Sequence, residues 1–480
     1  MNTLTTDQAI LGHFSPGFGG SRIPDWLKPW LENGLGGITL FSTNCPTLEK
    51  TAALIAELRS YNSKLIISID EEGGDVTRLF VREGSPFPSP ALLGRCDDLD
   101  LTYSSYRNLG TILKDLGVDM SFAPVADVVV EKENPIIGVR SFGSDFSLVT
   151  RHTLAAIRGF KDAGIASSLK HFPGHGGVME DSHHHLPRIS ESLSELTATH
   201  LAPFLAAIAE GVDSIMIGHM IVEALDDQFP ASLSKPIITK YLKESLGFNG
   251  LVVTDALDMG ALGGIRKIAQ SSRRAIQAGA DLLCFSGLFD QSEMIESSFK
   301  GIKAAIKNQE LDAKLLEKNA YRIREWNRPT VRKMASEHVV DPKQLAKGME
   351  IHGDVIIGDR EVHLVEMSAD PTIAAGHVAW GMRRSLSRSN IQVKLETSNV
   401  SVKAKTDFCL VVAFRDAFRD ERLMSNLVKL QNRYPDAIFV DLGWSTLNFK
   451  PSNLVRTYGS GSISSDIAAQ ILIGKIRSVP

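Results

Sequence analysis

The stretch HFPGHGGVMEDSHHH (171–185) concentrates histidines, acids and glycines in one short segment. Imidazole and carboxylate groups are common ligands of zinc and iron, so a metal centre is the first hypothesis. Three consecutive histidines cannot all point to one ion from regular structure, however, and the HExxH spacing of zinc enzymes is absent. The stretch therefore favours a catalytic loop over a metal site, and we expect neither a metal nor a cofactor.

Asp181 and His183 are the members of this loop best suited to proton transfer. Two residues apart in an extended or turn conformation, they can hydrogen-bond, so that the carboxylate orients the imidazole and favours its protonated form. A histidine in that state donates a proton near neutral pH. We expect His184 and His185 to be solvated or packing residues.

Asp255 lies within LVVTDAL (251–257), an apolar run typical of a buried strand. Two interpretations stay open for it. At a strand end that faces a pocket it would be a nucleophile or general base, whereas next to the segment ALDMGAL it would be a helix cap. Asp258, three residues later, suits the first turn of that helix, where its charge interacts favourably with the helix dipole.

Other charged residues also stand at or after the ends of apolar runs. Asp70 ends one run and Arg78 follows it, Lys170 and His171 end another, and Arg140 lies in the loop NPIIGVRSFGSD. A carboxylate beside a guanidinium at a pocket rim holds several hydroxyl groups by charge-assisted hydrogen bonds. The alternative is a surface ion pair, which contributes almost no stability.

The elements that must position these residues form a repeating pattern. Short apolar runs alternate with segments of helical period, as in repeated βα units around a parallel sheet. Eight strands over about 300 residues match the size of a TIM (β/α)8 barrel, and the polar residues at the strand ends favour it over the rival, a doubly wound open sheet. The predicted strands are 10–15, 36–41, 64–70, 119–124, 165–172, 214–220, 251–257 and 281–286.

A second domain is predicted after the barrel. We expect the barrel domain over 1–330, a polar linker with two prolines over 331–345, and an α/β sandwich domain over 346–480. The apolar runs DVIIG, EVHLVEM, DFCLVVAF and DAIFVDLGW predict the strands of this second domain, and SSDIAAQILIGKI predicts its last helix.

Composition excludes several classes of partner. The chain has 480 residues, is 43% hydrophobic and 22% charged, and carries a net charge of −4 with acids and bases intermixed, so neither nucleic acid nor an anionic membrane is an expected partner. Four cysteines without a CxxC pair predict unpaired thiols in a reducing compartment. The amino-terminal residues have neither a basic start nor a long apolar run, so we expect a cytoplasmic location. Composition does not predict the oligomeric state.

Several of these blocks resemble one family. KHFPGHG followed by DSH, TDALDMGAL, NPIIGVRSFG and FAPVADV are similar, in the same order, to motifs of the N-acetyl-β-glucosaminidases of glycoside hydrolase family 3, the NagZ type. PASLSKPIITKYLKESLGFNGLVVTDAL and AIQAGADLLC extend the similarity over most of residues 9–330.

The resemblance implies a retaining exo-glycosidase that removes terminal β-linked N-acetylglucosamine, from cell-wall muropeptides or amino-sugar oligosaccharides. Asp255 would attack the anomeric carbon, and His183 paired with Asp181 would be the acid/base in place of the usual second carboxylate. The residues that match the sugar-holding positions of the family are Asp70, Arg78, Arg140, Lys170 and His171.

The chain departs from the family pattern in two places. Glu71 and Asp75 replace a glutamine and an arginine near the expected sugar pocket, and single-domain bacterial members lack the region after about residue 340. Because of the first departure, specificity for N-acetylglucosamine over glucose stays open. The alternatives are a β-glucosidase or a glycoside phosphorylase of the same family and, from other classes, a metal-dependent hydrolase or a non-catalytic sugar-binding protein.

Overall fold

The computed structural model describes residues 4–178, 185–287, 291–332, 340–396, 408–444 and 449–476. They form a barrel domain followed by a second α/β domain. Within these ranges, no helix is both long and apolar enough to cross a membrane.

Every predicted strand of the barrel overlaps a strand of the structure. The first run begins too early, because Ile10 and Leu11 belong to a helix whose start is fixed by a capping box between Thr5 and Gln8. The strands are β1 (Phe14–Pro16), β2 (Gly37–Leu40), β3 (Ile66–Ile69), β4 (Met120–Ser121), β5 (Ala166–Phe172), β6 (Arg188–Ile189), β7 (Ser214–Ile217), β8 (Ile221–Val222), β9 (Leu251–Thr254) and β10 (Leu283–Phe285).

The sheet curls into a barrel of parallel strands. Its order is β2-β3-β4-β5-β7-β9, β10 pairs with β1, and a parallel bridge between Val253 and Leu282 joins β9 to the start of β10. Ser15 and Thr39 connect β1 to β2, with their hydroxyl oxygens 3.1 Å apart. Strand order follows the chain without the reversal of a doubly wound sheet. The TIM-type prediction is therefore confirmed, with β6 and β8 as a separate short pair.

The connections between strands carry the helices of the barrel domain. Their ends follow standard capping chemistry: the side chain of Asp98 accepts hydrogen bonds at the start of one long helix, and Gly117, at a φ of 91°, ends it. A π-helix, Pro236–Ser245, precedes β9. The α-helices are α1 (Thr6–Leu11), α2 (Lys28–Glu32), α3 (Leu48–Tyr61), α4 (Pro90–Cys96), α5 (Leu99–Leu116), α6 (Phe146–Asp162), α7 (Leu193–Ala198), α8 (Ala202–Ala209), α9 (Ile268–Ala278), α10 (Gln291–Lys307) and α11 (Ala313–Arg324).

The second domain is built on a six-stranded sheet, in which all described pairings are parallel except that of the edge strand β11. Its order is β11-β16-β15-β14-β12-β13. The strands are β11 (Glu350–His352), β12 (Glu361–Ser368), β13 (Val393–Glu396), β14 (Phe408–Arg415), β15 (Ile438–Asp441) and β16 (Asn453–Arg456). The helices are α12 (Pro342–Ala346), α13 (Arg383–Arg388), α14 (Glu421–Arg433) and α15 (Ser462–Leu472).

Two predictions for this domain differ from the structure. The end of the expected linker is helical in α12, because the side chain of Asp341 caps its first turn and Pro342 suits a helix start. The run DVIIG is not a strand, since Ile357 donates its N–H to Leu472 O at the end of α15 rather than to a neighbouring strand. The other three apolar runs contain β12, β14 and β15.

The second domain packs beside the loop that follows β3. Ala379 donates its N–H to Val81 O at 2.7 Å, and Ser462 donates its hydroxyl to Gly84 O at 3.1 Å. A strand-end loop of the barrel is thereby held by residues of the other domain.

Candidate active site

The carboxyl ends of the barrel strands open into a cavity of about 690 Å³. This is the face on which TIM barrels build active sites, because all the strand ends converge there. Of the eight site residues predicted from the sequence, six line this cavity: Asp70, Arg78, Arg140, Lys170, His171 and Asp255.

A buried charge cluster surrounds Lys170. Its Nζ lies 2.7 Å from Asp70 Oδ1 and 2.6 Å from Glu72 Oε1, and the residue is only 2% exposed. Arg140 donates to both oxygens of Glu72, from Nε at 2.9 Å and from Nη2 at 2.8 Å. A bidentate pair of this kind fixes the guanidinium plane. Glu72 is therefore the residue that holds the two cations in place, and our sequence analysis missed it.

Asp70 is ionised in this cluster. Burial alone would raise its pKa, but Lys170 and Arg78 hold the pKa of this carboxyl well below its usual range. Arg78 Nη2 lies 3.4 Å from Asp70 Oδ2 and also donates to Ala374 O of the second domain at 2.9 Å. Asp70 is thus a permanent hydrogen-bond acceptor at the cavity wall. Its partner Arg78 is held in place by a backbone carbonyl of the second domain.

His171 is oriented by Asp127, another residue that we did not predict. Asp127 Oδ2 accepts a hydrogen bond from His171 Nδ1 at 2.7 Å, and Oδ1 accepts one from His175 N at 2.7 Å. Burial raises the pKa of Asp127, but His171 and these hydrogen bonds lower it to about 2. The Nδ1 proton is therefore fixed toward Asp127, and Nε2 is the ring nitrogen left for a ligand.

His175, whose role the sequence left ambiguous, lies beside His171 and lines the same cavity. Burial and the neighbouring His171 lower the pKa of His175 to about 4. Its imidazole is consequently neutral at pH 7, which suits hydrogen bonding rather than charge stabilisation.

Asp255 lies immediately after β9, where its N–H donates to Ile217 O at 3.0 Å and its Oδ1 accepts from Ala256 N at 2.8 Å. It caps no α-helix, because the next one is α9 and only short 3-10 turns lie between. The expected helical position of Asp258 is wrong for the same reason. Glycines interrupt this segment, and the Asp258 carboxylate instead accepts hydrogen bonds from the backbone N–H and the hydroxyl of Ser286.

Glu71 and Asp75, the two replacements in the family pattern, do not line the cavity. Glu71 Oε2 accepts from Arg78 N at 2.8 Å and from Leu79 N at 3.1 Å, while Asp75 accepts from Ser460 N at 2.7 Å in the second domain. In extended backbone, successive side chains point to opposite sides. Asp70 and Glu72 therefore face the cavity and Glu71 does not, which corrects the expected position of both replacements near the sugar.

Glu71 gives a pH-dependent prediction. Burial raises its pKa from 4.5 to about 7. The folded protein thus binds this proton up to a higher pH than the unfolded chain does, and the stability linked to it is lost as pH rises from about 4.5 through 7. Glu71→Gln keeps an acceptor for Arg78 N without a charge. As the pH rises from about 5 to about 8, the free energy of unfolding of the variant should therefore increase by roughly 2–3 kcal/mol relative to that of wild type.

Urea unfolding of both proteins at the two pH values measures this change. Glu71→Ala, which removes the acceptor as well, is the matched control and should be destabilised at both pH values. A stability difference between wild type and Glu71→Gln that does not vary with pH would contradict the assignment.

Asp181 and His183 lie outside the described residues, so their pairing stays a prediction. Lys170 and His171 precede residues 179–184 in the chain, and His185 follows them directly. Among the residues that the structure describes, no group of three histidine, cysteine or acidic side chains is arranged to hold a metal ion.

Comparison with known proteins confirms the resemblance in the motifs. Residues 22–325 match the model described as Glycosyl hydrolase family 3 N terminal domain. A protein of Neisseria meningitidis named beta-hexosaminidase is 34% identical over 279 residues, which are 56% of this chain and 76% of the relative. A beta-hexosaminidase of Idiomarina loihiensis is 36% identical over 255 residues, 52% of this chain and 76% of its own.

Solved structures extend the similarity to both domains. A glycoside hydrolase family 3 beta-N-acetylglucosaminidase from Paenibacillus sp. matches with a TM-score of 0.84 and 27% identity, covering 99% of this chain and 98% of that one. NagZ from Neisseria gonorrhoeae matches with a TM-score of 0.56 and 29% identity, covering 65% of this chain and 89% of its own. This chain belongs to glycoside hydrolase family 3.

Proposed function

We propose that the protein is a retaining exo-β-N-acetylglucosaminidase in which Asp255 is the nucleophile. The observation that carries the proposal is that Asp255 lines the same cavity as the buried charge cluster around Lys170. This cluster forms the floor of the cavity. The names of the relatives, beta-hexosaminidase and beta-N-acetylglucosaminidase, support the sugar.

The floor suits the hydroxyl groups of a terminal sugar. Asp70 offers carboxylate acceptors, and Lys170, Arg140 and Arg78 offer charged donors. Each cation is already held by a carboxylate, so little conformational freedom is lost when the sugar binds. His171 adds a ring nitrogen whose orientation Asp127 fixes.

The reaction then proceeds in two displacements. A carboxylate oxygen of Asp255 attacks the anomeric carbon while the bond to the leaving oxygen breaks, and protonated His183 transfers its proton to that oxygen. Neutral His183 next takes a proton from water, whose oxygen attacks the anomeric carbon and releases Asp255 as a carboxylate. Asp181 stabilises the imidazolium in both steps, and the sugar is released with its configuration retained.

The role of His183 predicts a dependence on the leaving group. His183→Ala should slow hydrolysis of a methyl or alkyl glycoside by about 100-fold or more, because its leaving oxygen needs a proton. A dinitrophenyl glycoside, whose leaving group departs as an anion, should lose less in the first displacement. The measurement is kcat/KM on both substrates, with the exposed His185 replaced by alanine as the control. Equal losses on both substrates would count against the acid role.

The activity is tested by comparing nitrophenyl N-acetyl-β-glucosaminide with nitrophenyl β-glucoside, with excess chelator and with or without phosphate. We expect faster release from the N-acetylglucosaminide, no effect of the chelator and free sugar as the product. Preference for the glucoside would indicate the β-glucosidase alternative. Formation of a sugar phosphate would indicate a phosphorylase, inactivation by the chelator a metal-dependent hydrolase, and binding without turnover a sugar-binding protein.

The natural substrate and the location complete the proposal. Muropeptides or amino-sugar oligosaccharides with a terminal β-linked N-acetylglucosamine are the proposed substrates. A cytoplasmic location is supported by the four cysteines, which are all free thiols in the structure. Nucleic acid and membrane remain unexpected partners because the net charge is only −4.

A further inference from the structure

We propose that His219, a buried histidine just after β7, is a positioning residue for the nucleophile: it holds the backbone that orients the carboxylate of Asp255. This inference rests on the proposed function, because it takes Asp255 as the nucleophile. His219 is not among the residues that line the cavity, so it acts on the substrate only through Asp255.

Ala256 connects the histidine to the nucleophile. Its N–H donates to Asp255 Oδ1 at 2.8 Å, and its carbonyl oxygen lies 2.9 Å from His219 Nε2. A carbonyl oxygen only accepts, so Nε2 carries the proton and donates it. The same residue therefore accepts a hydrogen bond from the histidine and donates one to the nucleophile, and its backbone position sets the orientation of the Asp255 carboxylate.

The ring of His219 is held in turn by Ser232. Ser232 Oγ lies 2.7 Å from His219 Nδ1, and both residues are 0% exposed. In the neutral ring with its proton on Nε2, Nδ1 accepts from the serine hydroxyl. Ser232 belongs to the 3-10 turn Ala231–Leu233, whose first N–H donates to Met220 O at 2.8 Å. The Nε2–H donor therefore has a fixed direction at the end of β7.

The segment after Asp255 is also held from its other side. Strand β9 lies between β7 and β10, and the Asp258 carboxylate accepts from Ser286 N, just after β10, at 2.8 Å. His219 thus holds the segment toward β7, and Asp258 holds it toward β10. Because only short 3-10 turns follow Asp255, these side-chain contacts replace the support that an α-helix would give.

The position of the carboxylate matters in both displacements. Asp255 attacks the anomeric carbon in the first step and leaves it in the second, and a misplacement of about 1 Å at a reacting group costs on the order of 100-fold in rate. The sugar itself is held by the charge cluster around Lys170, which His219 does not contact. Loss of His219 should therefore slow the chemistry and leave sugar binding unchanged.

The experiment separates this role from a purely structural one. For the full-length wild type and each variant, it measures kcat/KM on methyl and dinitrophenyl N-acetyl-β-glucosaminide, the inhibition constant of methyl 1-thio-β-N-acetylglucosaminide, and urea unfolding. The variants are His219→Phe, which removes the donor, and His219→Gln, whose amide nitrogen replaces Nε2. His13→Phe is the matched control: His13 is 1% exposed and bonds a backbone carbonyl, Asp281 O, at 2.7 Å, but it lies before β1, away from the cavity.

We expect His219→Phe to lower kcat/KM by about 100-fold on both substrates, with the inhibition constant within about twofold of wild type. The equal loss follows because attack by Asp255 is needed whatever the leaving group is, in contrast to the loss expected of His183→Ala. His219→Gln should recover kcat/KM to within about fivefold of wild type. His13→Phe should lose stability but keep the kcat/KM of the folded protein.

Four results would overturn the inference: wild-type kcat/KM in His219→Phe, a parallel loss of inhibitor binding in that variant, no recovery in His219→Gln, or the same fall in His13→Phe. If His219→Phe does not fold, Ser232→Ala provides the test, with an expected fall of about tenfold on both substrates and unchanged inhibitor binding. Unchanged kcat/KM in Ser232→Ala would then overturn the inference. Absence of turnover by wild type would instead contradict the proposed function.

Discussion

Asp255→Ala is expected to lower kcat/KM on nitrophenyl N-acetyl-β-glucosaminide by about four orders of magnitude. Without this carboxylate, the proposed attack on the anomeric carbon is lost, and the two-step path with it. Asp255 lies at the cavity wall after the end of β9, and the substitution removes its hydrogen bond from the adjacent Ala256 N at 2.8 Å. We therefore expect the variant to keep its fold, as circular dichroism and an unchanged unfolding midpoint would show.

Added azide distinguishes loss of the nucleophile from misfolding. The shortened side chain leaves space beside the anomeric carbon, so azide should restore turnover of an activated aryl glycoside and yield the α-glycosyl azide. Activity close to wild type without azide would contradict the role of Asp255. A β-glycosyl azide as the rescue product would place the nucleophile elsewhere.

Lys170→Met is the second substitution with a large expected effect. It removes the cation between Asp70 and Glu72 and leaves like charges together in a buried site. Loss of one partner from a buried ion pair typically costs about 3–5 kcal/mol. We expect a fall of this size in the free energy of unfolding at pH 7, measured in urea, together with loss of sugar binding.

Lys64→Met is the matched control for that measurement. Lys64 Nζ lies 3.0 Å from Glu325, but both side chains are 44% exposed, and such surface pairs contribute about 0–1 kcal/mol. Equal destabilisation by the two substitutions would mean that Lys170 is not the centre of the charge cluster. Unchanged sugar binding in Lys170→Met would remove it from the sugar site.

The strand-end rule explains which site residues the sequence could predict. Asp70, Lys170, His171 and Asp255 each stand at or just after the end of an apolar run, and parallel strands bring those ends together on one face. The same alternation of strands and helices identified the barrel. In a barrel of this type the strands follow one another in chain order, so their order could be predicted as well.

The site residues that the sequence did not predict are defined by the direction of their side chains and by long-range contacts, not by their position relative to a strand end. Asp70, Glu71 and Glu72 are three consecutive acids, and only the backbone conformation decides that the first and third face Lys170. Asp127 lies in a motif that we recognised, FAPVADV, but its contact partner His171 is 44 residues later, at the end of the next strand. The contact of Arg78 with Ala374 crosses domains, and no local pattern encodes it.

The prediction for Asp258 was wrong because it did not take account of the glycines that follow this residue. The segment after β9 has the apolar spacing of a helix, but Gly260, Gly263 and Gly264 weaken a continuous helix, and the chain forms two 3-10 turns instead. In the second domain, DVIIG is apolar enough for a strand, yet it packs its backbone against the end of α15. Local glycine content decided the first case, and a tertiary contact decided the second.

Trapping the glycosyl-enzyme tests the central claim most directly. An N-acetylglucosaminyl fluoride with a further ring fluorine destabilises both transition states, while its good leaving group lets the intermediate form, so that the covalent adduct accumulates. Mass spectrometry of proteolytic fragments should then show one sugar attached to the peptide that carries Asp255, and none in Asp255→Ala. An adduct on another residue would contradict the account. So would hydrolysis of this compound with inverted configuration and without a detectable adduct.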